Sequence, residues 1–223
     1  MNMDAEDIVF YEDQTLIAVN KPSQVLTLPD GYDPHLPYLR SLLEPLFGPL
    51  YIVHRLDRDT SGVLLLARTP DAHRALNQQF QEHAVNKVYH ALTHNNPPWE
   101  SITIDYPLRP NGDRHHRTIV DHQHGKEAIT EFRVLKRFER VCLLEARPLT
   151  GRRHQIRVHL ASINLPILAD QLYGQESSQG IIQRLALHAF SIRILHPTTN
   201  ETTSFEAPYP PDFAHALRSA GSL

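Results

Sequence analysis

Short apolar runs broken by polar turns dominate the chain, with a few stretches of helical spacing between them. Ile8–Tyr11 and Thr15–Asn20 read as two strands joined by the polar turn Glu12–Gln14. Pro22, in Asn20-Lys21-Pro22-Ser23, cannot continue a central strand, and the apolar, turn-rich Val25–Pro29 follows. Pro29, Gly31, Pro34 and Pro37 make 30–37 a loop. Tyr38–Phe47 has apolar residues at 39, 42, 43 and 46, a helical spacing that Pro45 and Gly48-Pro49 shorten or end. Tyr51–Val53 and Val63–Ala67 are short runs of Val, Ile and Leu and read as buried strands. Thr69-Pro70 is a helix start, Thr as N-cap and Pro in the first helical position. It opens a helix over Asp71–Ala84 with Ala72, Ala75, Leu76, Gln79 and Phe80 along the side expected to cover the sheet. His73 and His83, on its polar side, are expected to face solvent.

The second half follows the same grammar. Val85–Thr93 is a strand, Pro97–Pro110 loop and short strand, and Glu127–Phe138 with Arg140–Leu149 a hairpin. Ile156, Leu160 and Ile163 predict a helix over Gln155–Ile163. Ser177–Gly180 reads as a flexible loop and Arg184–Leu195 as an alternating strand. His196-Pro197 is a turn and Thr203–Glu206 the last strand, and Pro208–Pro211 ends the sheet.

Composition narrows the class. A chain of 223 residues suits one large domain or two small ones, and 41% hydrophobic with 21% charged residues is ordinary for a globular protein. No apolar run approaches the ~18 residues of a membrane span. Asp4, Glu6 and Asp7 stand where a signal peptide needs basic residues, so a cytoplasmic protein is expected. The lone Cys142, in an apolar segment, excludes an intrachain disulfide and reads as a small core residue. Net charge is −3, yet residues 133–157 carry eight basic side chains against Glu139 and Glu145. Such a segment suits a polyanion site or a solvated face equally.

The densest chemistry lies between the two buried runs, in His54-Arg-Leu-Asp-Arg-Asp-Thr-Ser-Gly62. Strands on both sides would fix Asp57 on a loop beside Arg55 and Arg58, and Thr60-Ser61-Gly62 is turn chemistry. A salt-bridged turn would carry the same residues. The spacing is not that of a phosphatase Asp-x-Asp-x-Thr, because Thr60 falls one place early. Nor is it the Asp-Thr-Gly of an aspartic protease, because Ser61 intervenes. His115, His116, His122 and His124 are the best candidates for a metal site, but His115 and His116 are adjacent and diverge on regular structure, so surface roles are expected.

The nine-residue block at 54–62 closely resembles the catalytic signature of the RluA-type pseudouridine synthases. Val19-Asn-Lys-Pro-Ser23 resembles that family's first motif, whose strand-turn packs beneath the catalytic loop, and Lys87-x-Tyr89-x-Ala91 its second. Thr150-Gly-Arg-Arg-His-Gln-Ile-Arg-Val-His159 is similar to its third. Pro166–Gly174 is also family-like, with Ala169 where a Gly is usual, and Leu185-x-Leu187-His-Ala189 resembles the final pocket segment. The matches run from Val19 to about Pro208 in family order.

The resemblance implies an α+β fold, a mixed and largely antiparallel central sheet with flanking helices and loops. It implies one catalytic domain over 1–223, with no room for a separate N-terminal RNA-binding domain of the S4 type. The activity would be isomerisation of a uridine in a ribosomal or transfer RNA stem-loop, without cofactor or metal, by a monomer. By resemblance Asp57 is catalytic, Tyr89 stacks on the base and Arg157 pairs with Asp57. Arg55 would fill the gap left by a flipped base. Arg58, Arg152, Arg153, His154 and Gln155 would contact RNA, with Leu56 and Leu187 in the pocket. An RNA-binding or RNA-folding protein with little catalysis is the alternative reading.

Overall fold

The computed structural model describes residues 6–31, 33, 36–174 and 180–221; most of the loop expected at Ser177–Gly180 therefore lies outside the described residues. In chain order the elements are β1 (Val9–Glu12), β2 (Leu16–Lys21), α1 (Leu39–Phe47), β3 (Tyr51–Ile52), β4 (Ser61–Ala67), α2 (Pro70–Gln81) and β5 (Asn86–His94). There follow β6 (Ser101–Ile104), β7 (Leu108–Arg109), β8 (Ile119–Val120), β9 (Thr130–Arg137), β10 (Val141–Pro148) and α3 (Gln155–Ser162). β11 (Leu187–Leu195), β12 (Thr202–Glu206) and α4 (Pro211–Ala220) complete the chain. This is the α+β class, with antiparallel pairing at every strand pair whose register is described.

The chain forms two compact units, one ending at Asn86 and resuming over Ala189–Pro208, the other Lys87–His188 with the segment from Tyr209 onward. In the first, the strands run in the order β1-β2-β4-β11-β12, with β3 also on β4. All seven residues of β4 are buried, which is why it reads as an unbroken apolar run rather than an alternating one. α2 places Ala72 and Leu76 in the core, and its Thr69 side chain accepts the Ala72 backbone N–H as the sequence predicts. α1 runs through Pro45 and ends at Phe47, where Gly48 caps it, as Gly48-Pro49 led one to expect. His73 is half-buried rather than solvent-facing: Nε2 lies 3.3 Å from the Ile52 carbonyl and its ring packs on Tyr51.

In the second unit the order is β5-β10-β9-β6, with β7 and β8 as a separate hairpin. Its core joins Leu92, Phe132, Leu144, Leu160 and Leu168 to Phe213 and Ala216 of α4. That last helix was not expected; the proline-rich run before it was read only as the end of the sheet. Cys142 is fully buried, and desolvation pushes its thiol up to about 11, in keeping with a core residue.

Candidate active site

In the first unit Asp57 lies in the polar segment between β3 and β4, half-buried, with Arg55 and Arg58 exposed on either side and Leu56 buried. The loop backbone is fixed from the β2 end of the sheet. Lys21, at the end of β2 opposite Gly62 of β4, is 0% exposed. Its Nζ donates to the carbonyls of Pro22 and Val25 at 2.8 Å and to that of Arg58 at 3.2 Å. A buried ammonium is tolerated only where acceptors replace its water, and these carbonyls do so. Thr27 adds a second tie: Oγ1 donates to the Leu56 carbonyl at 2.9 Å and accepts from the Leu56 N–H at 3.3 Å. Ser23 Oγ donates to the Asp59 carbonyl at 2.7 Å, and Gln24 Nε2 to Asp59 Oδ1 at 2.8 Å.

Two further features hold the exit from this loop. His54 Nε2 accepts the Leu65 N–H at 2.9 Å while its ring stacks on Phe80. Gly62 has φ +117°, a backbone region side chains rarely enter, and a Cβ there would collide with the Ala189 backbone. Asp57 thus sits between two anchored points, with the Thr60 N–H bonded to its own carbonyl at 3.1 Å.

In the second unit the groups converge around α3. Arg157 and Asp170 are buried, at 2% and 4%, and form a bidentate pair, Nε to Oδ2 and Nη2 to Oδ1, both 2.8 Å. Asp170 Oδ1 also accepts the N–H groups of Leu172 and Tyr173, at 3.0 and 3.1 Å. The Arg157 guanidinium lies 5.2 Å from the ring centre of Tyr173. The Tyr173 hydroxyl meets His154 Nδ1 at 2.9 Å and accepts the Thr118 N–H at 3.0 Å, which ties the β7–β8 connection to α3. His154 itself has φ +56° and starts the helix. Tyr89, half-buried on β5, and the buried Leu187 belong to one apolar cluster.

Three comparisons bear on this arrangement. The RNA pseudouridylate synthase family matches residues 15–162. An uncharacterized RNA pseudouridine synthase, MG209, of Mycoplasma genitalium is 37% identical over 95% of this chain and 69% of its own. The chain belongs to the RluA-type pseudouridine synthases. Such enzymes are isomerases that act on RNA. The dual-specificity RNA pseudouridine synthase RluA of Vibrio vulnificus is 34% identical over 90% of this chain and 82% of its own. The ribosomal large subunit pseudouridine synthase D of Zymomonas mobilis is 35% identical, over 92% and 69% respectively. Among solved structures, human RNA pseudouridylate synthase domain containing 4 superposes with a TM-score of 0.79 and 25% identity, over 97% of this chain and 95% of that one.

Within this pseudouridine synthase several residues sit otherwise than expected. Gln155 is buried and its amide is spent inside the fold. Oε1 accepts from Thr150 Oγ1 and the Arg152 N–H at 2.8 and 2.9 Å, and Nε2 donates to the Ile129 carbonyl and Thr130 Oγ1, both at 2.9 Å. It shapes the Thr150–His154 turn, and an RNA contact is not open to an amide with all these bonds made. Arg152 Nε donates to the Glu127 carbonyl at 2.8 Å, and Arg153 Nη1 to Asn111 Oδ1 at 3.0 Å, the latter from an exposed side chain. Asp170, which had no assigned role, holds the Arg157 guanidinium in a bidentate pair. Lys21, given no role of its own within the first motif, is the clamp of the Asp57 loop. Its signal was a lysine closing an otherwise buried strand directly before proline. Among the described residues no group of three or more His, Cys, Asp or Glu could hold a metal ion; His122 packs its edge on Tyr106, and His115 accepts from Arg114 Nε. No helix among them is long and apolar enough to cross a membrane.

Proposed function

We propose that this enzyme converts one uridine of a ribosomal or transfer RNA stem-loop to pseudouridine, with Asp57 acting at the ribose. The N1–C1′ bond breaks, the uracil turns, and C5 bonds to C1′. The C5 proton leaves and N1 takes one up, so the change is an isomerisation that needs no cofactor. The base must leave its stack, at about a few kcal/mol; the exposed Arg55, next to Leu56, is the wedge that fills the gap. Tyr89 stacks on the uracil, and Arg157 pairs with Asp57 and orients it. Arg58, Arg153 and His154 contact the RNA. The 223 residues act as one catalytic domain, in a monomeric, cytoplasmic protein.

The observation that carries the assignment is the double clamp on the Asp57 loop by Lys21 and Thr27. An acid on a loop anchored by buried polar groups from another part of the sheet is held for a geometric purpose, as catalysis requires. Support for the RNA class comes from the Zymomonas relative, named for the large ribosomal subunit, and the Vibrio relative, named as dual-specific. The test is carbodiimide mapping of pseudouridine in total RNA from cells with and without the gene. One site should vanish, and return with wild type but not with Asp57→Asn. A site restored by Asp57→Asn would overturn the assignment.

A further inference from the structure

One charged group stands outside the roles given so far, the ammonium of Lys87. Alternation along β5 puts Lys87 on the same face as Tyr89, two residues on. Its side chain folds inward rather than into solvent, and Nζ makes one long hydrogen bond, 3.4 Å to the carbonyl of Thr150. An ammonium has three donors. Among the described residues no carboxylate lies within ion-pair distance of this one. Burial pulls its pKa below the ordinary lysine range. Lysines that only serve solubility extend their charge into water, and lysines that serve the fold are satisfied as Lys21 is. Lys87 does neither. It stands at the turn that leads into Gly151, Arg152 and Arg153, a basic segment, and beside the aromatic expected to stack on the base.

We propose that Lys87 is an anion-binding residue of the active site, its ammonium taking a negatively charged oxygen of the bound nucleotide next to Tyr89. This rests on the reading above that Tyr89 lines the base pocket. The oxygen has two sources of the same chemistry. One is a phosphate flanking the target uridine. The other is a uracil carbonyl, which gains charge as the base leaves C1′ with the N1–C1′ bonding pair and loses it when C5 bonds to C1′. Neither source needs a co-reactant.

The test uses the full chain and an unmodified transcript of bacterial large-subunit ribosomal RNA carrying tritium at uracil C5. Tritium release reads the reaction and filter binding reads Kd. Lys87→Met and Lys87→Gln are both made, and each is checked by thermal melting. Loss of a charge-assisted bond predicts about a ten-fold or larger effect. With a phosphate as ligand, Kd weakens by that factor and the dependence of log K on log salt falls by about one charge. With a uracil oxygen, the single-turnover rate at saturating RNA falls while Kd holds within about two-fold, a rate-only loss. The wild-type fall in rate at alkaline pH, which begins below the ordinary lysine pKa of about 10.4, then disappears in the variants. Agreement with wild type within two-fold in both Kd and rate overturns the proposal. A wild-type enzyme that releases no tritium from this RNA would count against the proposed function, and the binding arm would still decide on Lys87: an unchanged Kd in both variants rejects it.

Discussion

Replacing Lys21 by Met tests whether the Asp57 loop is held from β2. The stem volume is nearly kept, so the change removes the ammonium and little else. Three carbonyls, of Pro22, Val25 and Arg58, lose the donor that now sits 2.8, 2.8 and 3.2 Å away. A buried acceptor left bare costs about 1–3 kcal/mol. Against this, the variant no longer has to desolvate a charge, which returns several kcal/mol in the effective sense. The balance is a net loss of about 2–4 kcal/mol, or roughly 4–16 °C in Tm for a chain of this size. The activity effect is separate. Freed from Lys21, the Arg58 carbonyl and the adjacent Asp57 carboxyl move relative to their anchors, and about 1 Å of misplacement costs about a hundred-fold in rate. Melting by circular dichroism and single-turnover tritium release, measured well below the variant's Tm, read the two effects independently. A Tm within about 2 °C of wild type and a rate within two-fold would refute the clamp. A lower Tm with an unchanged rate would leave the clamp as a feature of the fold and detach it from Asp57.

Two further outcomes follow from the second unit. Arg157→Ala strands the buried Asp170 carboxylate and should destabilise by about 3–5 kcal/mol, whereas Arg157→Met with Asp170→Leu should recover most of that. Calorimetry would check the stability, and activity should stay absent in both if Arg157 has the role proposed. His90 is buried against the Tyr209 hydroxyl, and desolvation lowers its pKa to about 4, so the fold holds it neutral. The unfolded chain binds a proton near pH 6.5 and the folded one only near 4. Full stability is therefore present above 6.5 and is lost as pH falls towards 4, by about 2 kcal/mol at pH 5. Urea unfolding at pH 7 and pH 5 should show this loss, and His90→Gln should reduce it; an equal loss in the variant would assign the pH effect elsewhere.

What the sequence exposed and what it hid divide along a physical line. β4, α2 with its Thr69 cap, and the β9–β10 hairpin were legible because period, apolar run and cap chemistry are local properties of consecutive residues. α4 was equally local, with Pro211 at its start and Phe213, Ala216 and Ala220 at helical spacing, but the prolines before it were read only as the end of the sheet. The polar residues that shape the site were another matter. Lys21, Thr27, Gln155 and Asp170 look in sequence like any surface lysine, threonine, glutamine or aspartate. Their meaning lies in partners reached through the fold: Thr27 meets Leu56, 29 residues on, and Gln155 meets Thr130, 25 residues back. No periodicity records whether a side chain donates to water or to a buried carbonyl. The motif resemblance located the catalytic loop, since Asp57 lies within nine consecutive matched residues. Which residues hold that loop still, and that Asp170 braces Arg157, required the hydrogen bonds themselves, because satisfying buried polar groups is a constraint on the whole fold rather than on any stretch of it.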